Sequence, residues 1–186
     1  KFPGKRAIGL STYVEPQVLE FALLGDGKGG DARSVDDIAY AIDKYKSLGD
    51  DLITWTTGAE SQQQLESGEV VMSLVWSSRG FGATDAGAPV APMWGDWILA
   101  VDALTVPKGA HDPEASFAAL NFFLGEQQQA KASELTSFAP VNVNSKPELS
   151  ETAEQWFINN HLDTGKTIDM QFWTDNYSAL EEAWIA

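Results

Sequence analysis

The side chains best suited to holding a small molecule are the tryptophans, of which there are seven in 186 residues. An indole face attracts alkylammonium groups and packs well on methylenes. Trp55, Trp76, Trp94, Trp97 and Trp173 fall at predicted strand ends or loops, where α/β sheets form their ligand sites. Trp156 and Trp184 fall on helical faces and are assigned to packing. Other chemistries find less support. The absence of cysteine excludes disulfides, thiolate metal sites and a cysteine nucleophile. His111 and His161 have no partners at metal-ligand spacing and are read as surface residues. No Ser–His–Asp arrangement emerges. Carboxylates are plentiful enough for a glycosidase pair, but no spacing singles out two of them. No catalytic residue, metal or cofactor is therefore expected.

Three loop-like motifs also fail on context. Gly25 to Gly30 follows a predicted helix, whereas a dinucleotide loop follows a strand and opens a helix. It is read as a surface loop. Gly165-Lys166-Thr167 resembles the end of a phosphate-binding loop, but Asn160 stands where the first glycine belongs. Lys28 occupies a ligand position in the stretch from Asp26 to Asp37, which rules out a calcium loop.

The net charge is −15, from 27 acidic and 12 basic residues. Such a field repels phosphate backbones, so no nucleic-acid partner is expected. Hydrophobic residues make up 44% and charged residues 21%, as in an ordinary globular protein. No apolar run approaches the roughly 18 to 20 residues of a membrane helix. The opening Lys1-Phe2-Pro3-Gly4 reads like the interior of a longer sequence, so a processed or truncated form is expected.

The elements that would position these groups follow from periodicity. Lys5 to Leu10 reads as a strand, and Pro16 opens a helix with Val18, Leu19, Ala22 and Leu23 on one face. Ser34 is predicted to cap a second helix, which carries Ile38, Ala41, Ile42, Tyr45 and Leu48 and ends at Gly49. Leu52 to Thr56 reads as a strand. Thr57-Gly58-Ala59-Glu60 fits a capping box opening a short helix. Glu69 to Trp76 is the strongest strand, and Ser77 to Gly87 a turn and short helix. Two extended stretches lie between Pro89 and Val106. Asp112-Pro113-Glu114 starts a helix with Phe117, Leu120 and Phe123, and Gly125 breaks it before a Gln-rich helix to about Thr136. Ala139 to Pro147 is a loop. Glu151 to Asn159 and Asp175 to Ala186 are the last two helices. Alternation from Lys5 to Trp76 predicts an α/β fold with a mostly parallel sheet.

Several segments together resemble one family. They are Phe2 to Arg6, Thr57 to Gln63, Gly68-Glu69-Val70 running into Val75-Trp76, Asp102 with Val106 to Ala110, Ala139 to Asn142, and Asp169 through Trp173 to Asn176. In order and spacing they resemble spermidine/putrescine-type periplasmic solute-binding proteins of ABC transporters, across essentially the whole chain. The resemblance implies a C-terminal fragment with a periplasmic-binding-protein-like (type II) lobe, a mostly parallel sheet flanked by helices, plus a partial first lobe. Residues 1–96 would form the second-lobe core. Residues 97–140 would hold the hinge strand and a first-lobe piece, and 141–186 the helices that return to the second lobe. A first-lobe segment or another chain would be needed to complete the fold.

The resemblance also implies an exported, periplasmic protein that is not an enzyme. It would bind a small amine-bearing ligand between two lobes and pass it to a membrane permease. Polyamine binders of this type hold ammonium groups with carboxylates at positions that match Val14 and Gln17, neither of which is acidic. The wall tryptophan is matched by Trp76 and the hinge carboxylate by Asp102, with Arg79 three residues past Trp76. One arginine and one aspartate suit a zwitterion, since a guanidinium fork pairs with a carboxylate while Asp102 takes the ammonium. A 4-aminobutyrate-like amino acid is favoured over putrescine or spermidine. Tyr13, Thr57 and Trp173 would complete the wall. Two other classes stand beside this one: a saccharide-binding protein or glycoside-active enzyme built on tryptophan platforms and carboxylates, and a sensor that binds the same ligand but signals through a partner.

Overall fold

The computed structural model describes residues 2–10, 15–27 and 34–185. Strands β1 (Lys5–Gly9), β2 (Leu52–Trp55) and β3 (Val70–Ser73) form a parallel sheet in the order β2-β1-β3. Helices α1 (Pro16–Gly25) and α2 (Val35–Lys46) link β1 to β2. Helix α3 (Gly58–Glu66) links β2 to β3, and α4 (Ser77–Asp85) follows β3. Parallel strands require such crossovers, and the predicted α/β alternation is what the structure contains.

Local chemistry sets the helix starts. Pro16 stands in the first turn of α1. Ser34 Oγ accepts from the Asp37 N–H at 3.3 Å, while Asp36 and Asp37 begin α2 and Lys44 and Lys46 end it. That charge order complements the helix dipole. Thr57 Oγ1 accepts from the Glu60 N–H at 3.2 Å, and Glu60 Oε2 accepts from the Thr56 N–H at 2.8 Å. The reciprocal cap is therefore present. The backbone N–H of Thr56 first, then the Thr56 hydroxyl and the Thr57 N–H, hold the Glu60 carboxyl below its ordinary range.

Downstream, β4 (Ile98–Leu99) pairs in parallel with β5 (Lys166–Thr167). Helices α5 (Pro113–Phe123), α6 (Glu126–Thr136), α7 (Glu151–Gln155) and α8 (Met170–Ile185) complete the described elements. Asp112 Oδ1 caps α5 through the Ala115 N–H at 2.9 Å, as its Asp-Pro-Glu start predicts. Helix α5 buries none of its residues.

Three boundaries depart from expectation. β3 ends at Ser73 instead of Trp76: Leu74 N–H still bonds the Ala7 carbonyl at 2.9 Å, but the chain then leaves the sheet and Trp76 becomes the N-cap residue of α4. α8 starts at Met170 instead of Asp175, with Asp169 Oδ1 accepting from the Phe172 N–H at 3.0 Å. The predicted helix from Glu151 to Asn159 stops at Gln155 and gives way to a 3₁₀ turn over Ile158–His161.

Two apolar clusters hold these layers. Leu19, Leu23, Ile38, Ala41, Ile168, Trp173 and Leu180 join α1, α2 and α8. Ala7, Trp55, Leu65, Val70, Ala83 and Ala88 join the sheet to α3 and α4. Glycines make room for the large rings. A Cβ on Gly80 would lie 2.1 Å from the Trp156 ring, and one on Gly165 2.4 Å from Trp97. Trp156 also donates to Thr84 Oγ1 at 2.9 Å, which ties the segment after α7 to α4.

Candidate functional site

All three strands of the larger sheet point the same way, so their C-terminal ends share one edge. α3 starts three residues after β2 ends and α4 four residues after β3 ends, which brings both helix N-termini to that edge. Helix N-termini present unsatisfied N–H groups and partial positive charge. α4 starts without a side-chain cap; the Arg79 and Gly80 N–H groups bond the Trp76 carbonyl at 2.8 and 3.2 Å, which leaves the amides of Ser77 and Ser78 to solvent or a ligand.

Trp76 and Arg79 occupy this edge. Trp76 is 45% exposed, with its ring edge-on to buried Trp55 at a centroid distance of 5.5 Å. Trp55 donates its indole N–H to the Leu74 carbonyl at 3.1 Å and lies against Gly9 at the end of β1. Trp55 is thus a backing for Trp76 and not itself an open platform. Arg79 is half-buried, and its Nε lies beside Gly58 in the first turn of α3, as does the Trp76 ring. Among the described residues no carboxylate lies within ion-pair distance of Arg79. A half-buried guanidinium beside two helix N-termini, with no carboxylate partner among the described residues, can receive an anion.

The structure thus brings Thr57, Trp76 and Arg79 together around Gly58. Asp102 lies apart in sequence, on the exposed run without regular structure that follows β4, and it has no ion-pair partner among the described residues. Tyr13 falls outside the described residues. Trp173 does not lie in a loop as expected. It sits within α8 at 2% exposure, and its indole N–H donates to Glu20 Oε1 at 2.6 Å. Burial there outweighs the turn-like polar residues around it, and its ring faces are used in packing.

Two features escape a sequence reading. Glu15, at the N-cap of α1, is a nearly buried carboxylate that accepts from Gln17 Nε2 at 2.9 Å. An acidic group therefore does stand at this helix start, one residue from a position read as non-acidic. His161 is half-buried and stacks on Trp94 at 4.4 Å, not free on the surface. Trp94, Trp97 and Thr164 form a knot: Thr164 Oγ1 accepts from the Trp97 indole at 3.1 Å and bonds the Trp94 carbonyl at 3.0 Å. These two tryptophans brace the segment around β4 and β5.

A shallow apolar groove of about 190 Å³ runs between α1 and α2, lined by Phe21, Ala22, Tyr45 and Leu48. None of the candidate residues walls it. Among the described residues no helix is long and apolar enough to cross a membrane, and no group of three His, Asp or Glu could hold a metal ion.

A family model described as bacterial extracellular solute-binding protein matches residues 1–159. The gamma-aminobutyric acid-binding protein of Pseudomonas aeruginosa is 28% identical over 196 residues, covering 100% of this chain and 55% of that protein. The spermidine/putrescine-binding periplasmic protein of Salmonella typhimurium is 25% identical over 136 residues, covering 72% of this chain and 39% of that protein. A solved GABA receptor structure shares 30% identity at a TM-score of 0.82, covering 100% of this chain and 57% of that one. The chain spans about half the length, or less, of the curated relatives it matches. The structural likeness establishes a periplasmic-binding-protein-like fold. With a family match over most of its length, the chain belongs to the bacterial extracellular solute-binding proteins.

Proposed function

We propose that this chain is the ligand-binding part of an exported receptor that delivers a 4-aminobutyrate-like zwitterion to an ABC transporter permease. One observation carries the reading: Arg79, half-buried beside Trp76 at two helix N-termini, has no carboxylate partner among the described residues. A ligand carboxylate supplies that partner. Trp76 packs on the ligand methylenes, Thr57 borders them, and Asp102 takes the ammonium. Trp173 contributes from behind, by fixing α8 against α1. The similarity to the gamma-aminobutyric acid-binding protein supports this ligand class.

Binding involves no bond-breaking step, so the protein acts as a receptor and not an enzyme, and it needs no cofactor. Ligand binding favours a closed pair of lobes, and the closed form docks on the permease. Phe117 and Phe122 of α5 are 60% and 67% exposed. In the full-length protein this apolar face is covered by further chain that completes the first lobe.

Putrescine is the second reading, and Glu15 favours it, because a buried carboxylate at the start of α1 suits a second ammonium. A thermal-shift panel on the full-length protein separates the two. A ligand at 100 times its Kd adds about 2.7 kcal/mol, a rise of several degrees. A rise with 4-aminobutyrate exceeding that with putrescine is expected. A rise with putrescine alone overturns the zwitterion, and a rise with saccharides alone overturns the amine.

A further inference from the structure

We infer that Gly58 is a positioning residue that sets selectivity for carboxylate-bearing amines, by letting Arg79 and Trp76 rest together on the first turn of α3. A Cβ at Gly58 would lie 2.7 Å from Arg79 Nε and 2.8 Å from Trp76 Cζ3. Contacts that short do not persist, so an added methyl displaces one group or both. The Gly58 backbone does not require glycine, since its φ is not among the positive ones. It stands at the first position of a helix, where alanine is a good residue. Space alone selects glycine here. The indole is rigid and braced from behind by Trp55, so it has little freedom to retreat in that direction.

The consequence is geometric. Gly58 fixes how far the guanidinium fork sits from the indole face, and bidentate pairing with a carboxylate depends on that placement. A ligand that carries its carboxylate on Arg79 and its methylenes on Trp76 is measured against this spacing. A simple amine makes no demand on Arg79. Gly58 therefore affects the two ligands unequally, whereas a purely structural role would weaken both alike. This role rests on the zwitterion reading above, so its test needs one readout that is independent of ligand.

The experiment compares full-length wild type, Gly58→Ala and Gly25→Ala, whose added methyl would meet nothing within 4 Å. Calorimetry measures affinity for 4-aminobutyrate and for butylamine. NMR follows the Arg79 Nε–Hε resonance, assigned by its absence from Arg79→Lys. In Gly58→Ala the resonance is expected to move, and the preference for 4-aminobutyrate over butylamine to fall about tenfold. Gly25→Ala should match wild type in both. An unmoved resonance in Gly58→Ala overturns the placement. A moved resonance with the preference intact, or an equal loss for both ligands, overturns the role in selectivity. A wild type that shows no such preference overturns the zwitterion reading and the selectivity with it. The resonance then still decides whether Gly58 places Arg79.

Discussion

Trp173→Ala is expected to cost about 3–5 kcal/mol of unfolding free energy, the range for removing a buried aromatic ring. Trp173 is the largest fully buried side chain among the described residues. Its ring fills the space among Leu19, Leu23, Ile38 and Leu180, where α1, α2 and α8 meet. Close-packed interiors relax only partly around such a void. The substitution also removes an indole N–H from Glu20, a carboxyl group at 0% exposure, and a buried acceptor that loses its donor adds to the cost. Trp173→Phe separates the two contributions, because it keeps most of the ring volume and removes only the donor. Its cost should be about 1–3 kcal/mol. Urea unfolding read by linear extrapolation measures both. With total stabilities of about 5–15 kcal/mol, the alanine variant approaches the limit of folding. A loss below about 1 kcal/mol would show that α8 is not held to α1 in this way.

Asp102→Ala should weaken 4-aminobutyrate binding to the full-length protein by about a hundredfold, or about 2.7 kcal/mol. An ammonium enclosed between two lobes without a counter-charge is costly, and most of the loss is that penalty. Folding stability should change by less than about 0.5 kcal/mol, because Asp102 is exposed and makes no ion pair among the described residues. The split between lost binding and kept stability is the informative part. Arg79→Gln should produce the same split for 4-aminobutyrate while leaving butylamine nearly unaffected. Calorimetric titration beside a thermal melt measures both quantities. Unchanged affinity in Asp102→Ala would remove Asp102 from the site.

Much of this architecture is legible in the order of residues, and the reasons are local. The alternation of strands and helices up to Trp76 announces a parallel sheet, and short crossovers leave few other topologies. Ser34, Thr57 and Asp112 cap their helices because a side-chain oxygen three residues ahead of a free N–H is a short-range signal. The start of α8 is misread because Phe172 and Trp173 are indifferent helix formers, and burial against α1 decides there. Glu20 gives no warning either, since a glutamate in an amphipathic helix resembles a solvated one until its partner Trp173, distant in sequence, arrives.

The site is legible in a different measure. Trp76 and Arg79 stand out because they follow a strong strand at the edge where parallel sheets bind ligands. Their common seat on Gly58 depends on a Cβ that is absent, and no periodicity reports an absent atom. The same holds for Trp55 on Gly9, Trp97 on Gly165 and Trp156 on Gly80. Sequence separates a tryptophan in a helix from one near a loop, but it does not separate an exposed platform from a brace. That is why Trp55, Trp94 and Trp97 join the candidates on sequence and leave them in the structure.

The most direct test of the central claim is a calorimetric titration of the full-length protein with 4-aminobutyrate, with the ligand afterwards recovered and examined by NMR. Saturable binding at one site per chain is expected, tighter than for putrescine, with the ligand recovered unchanged. Saturable binding of putrescine with none of 4-aminobutyrate, or recovery of a chemically altered ligand, would contradict it.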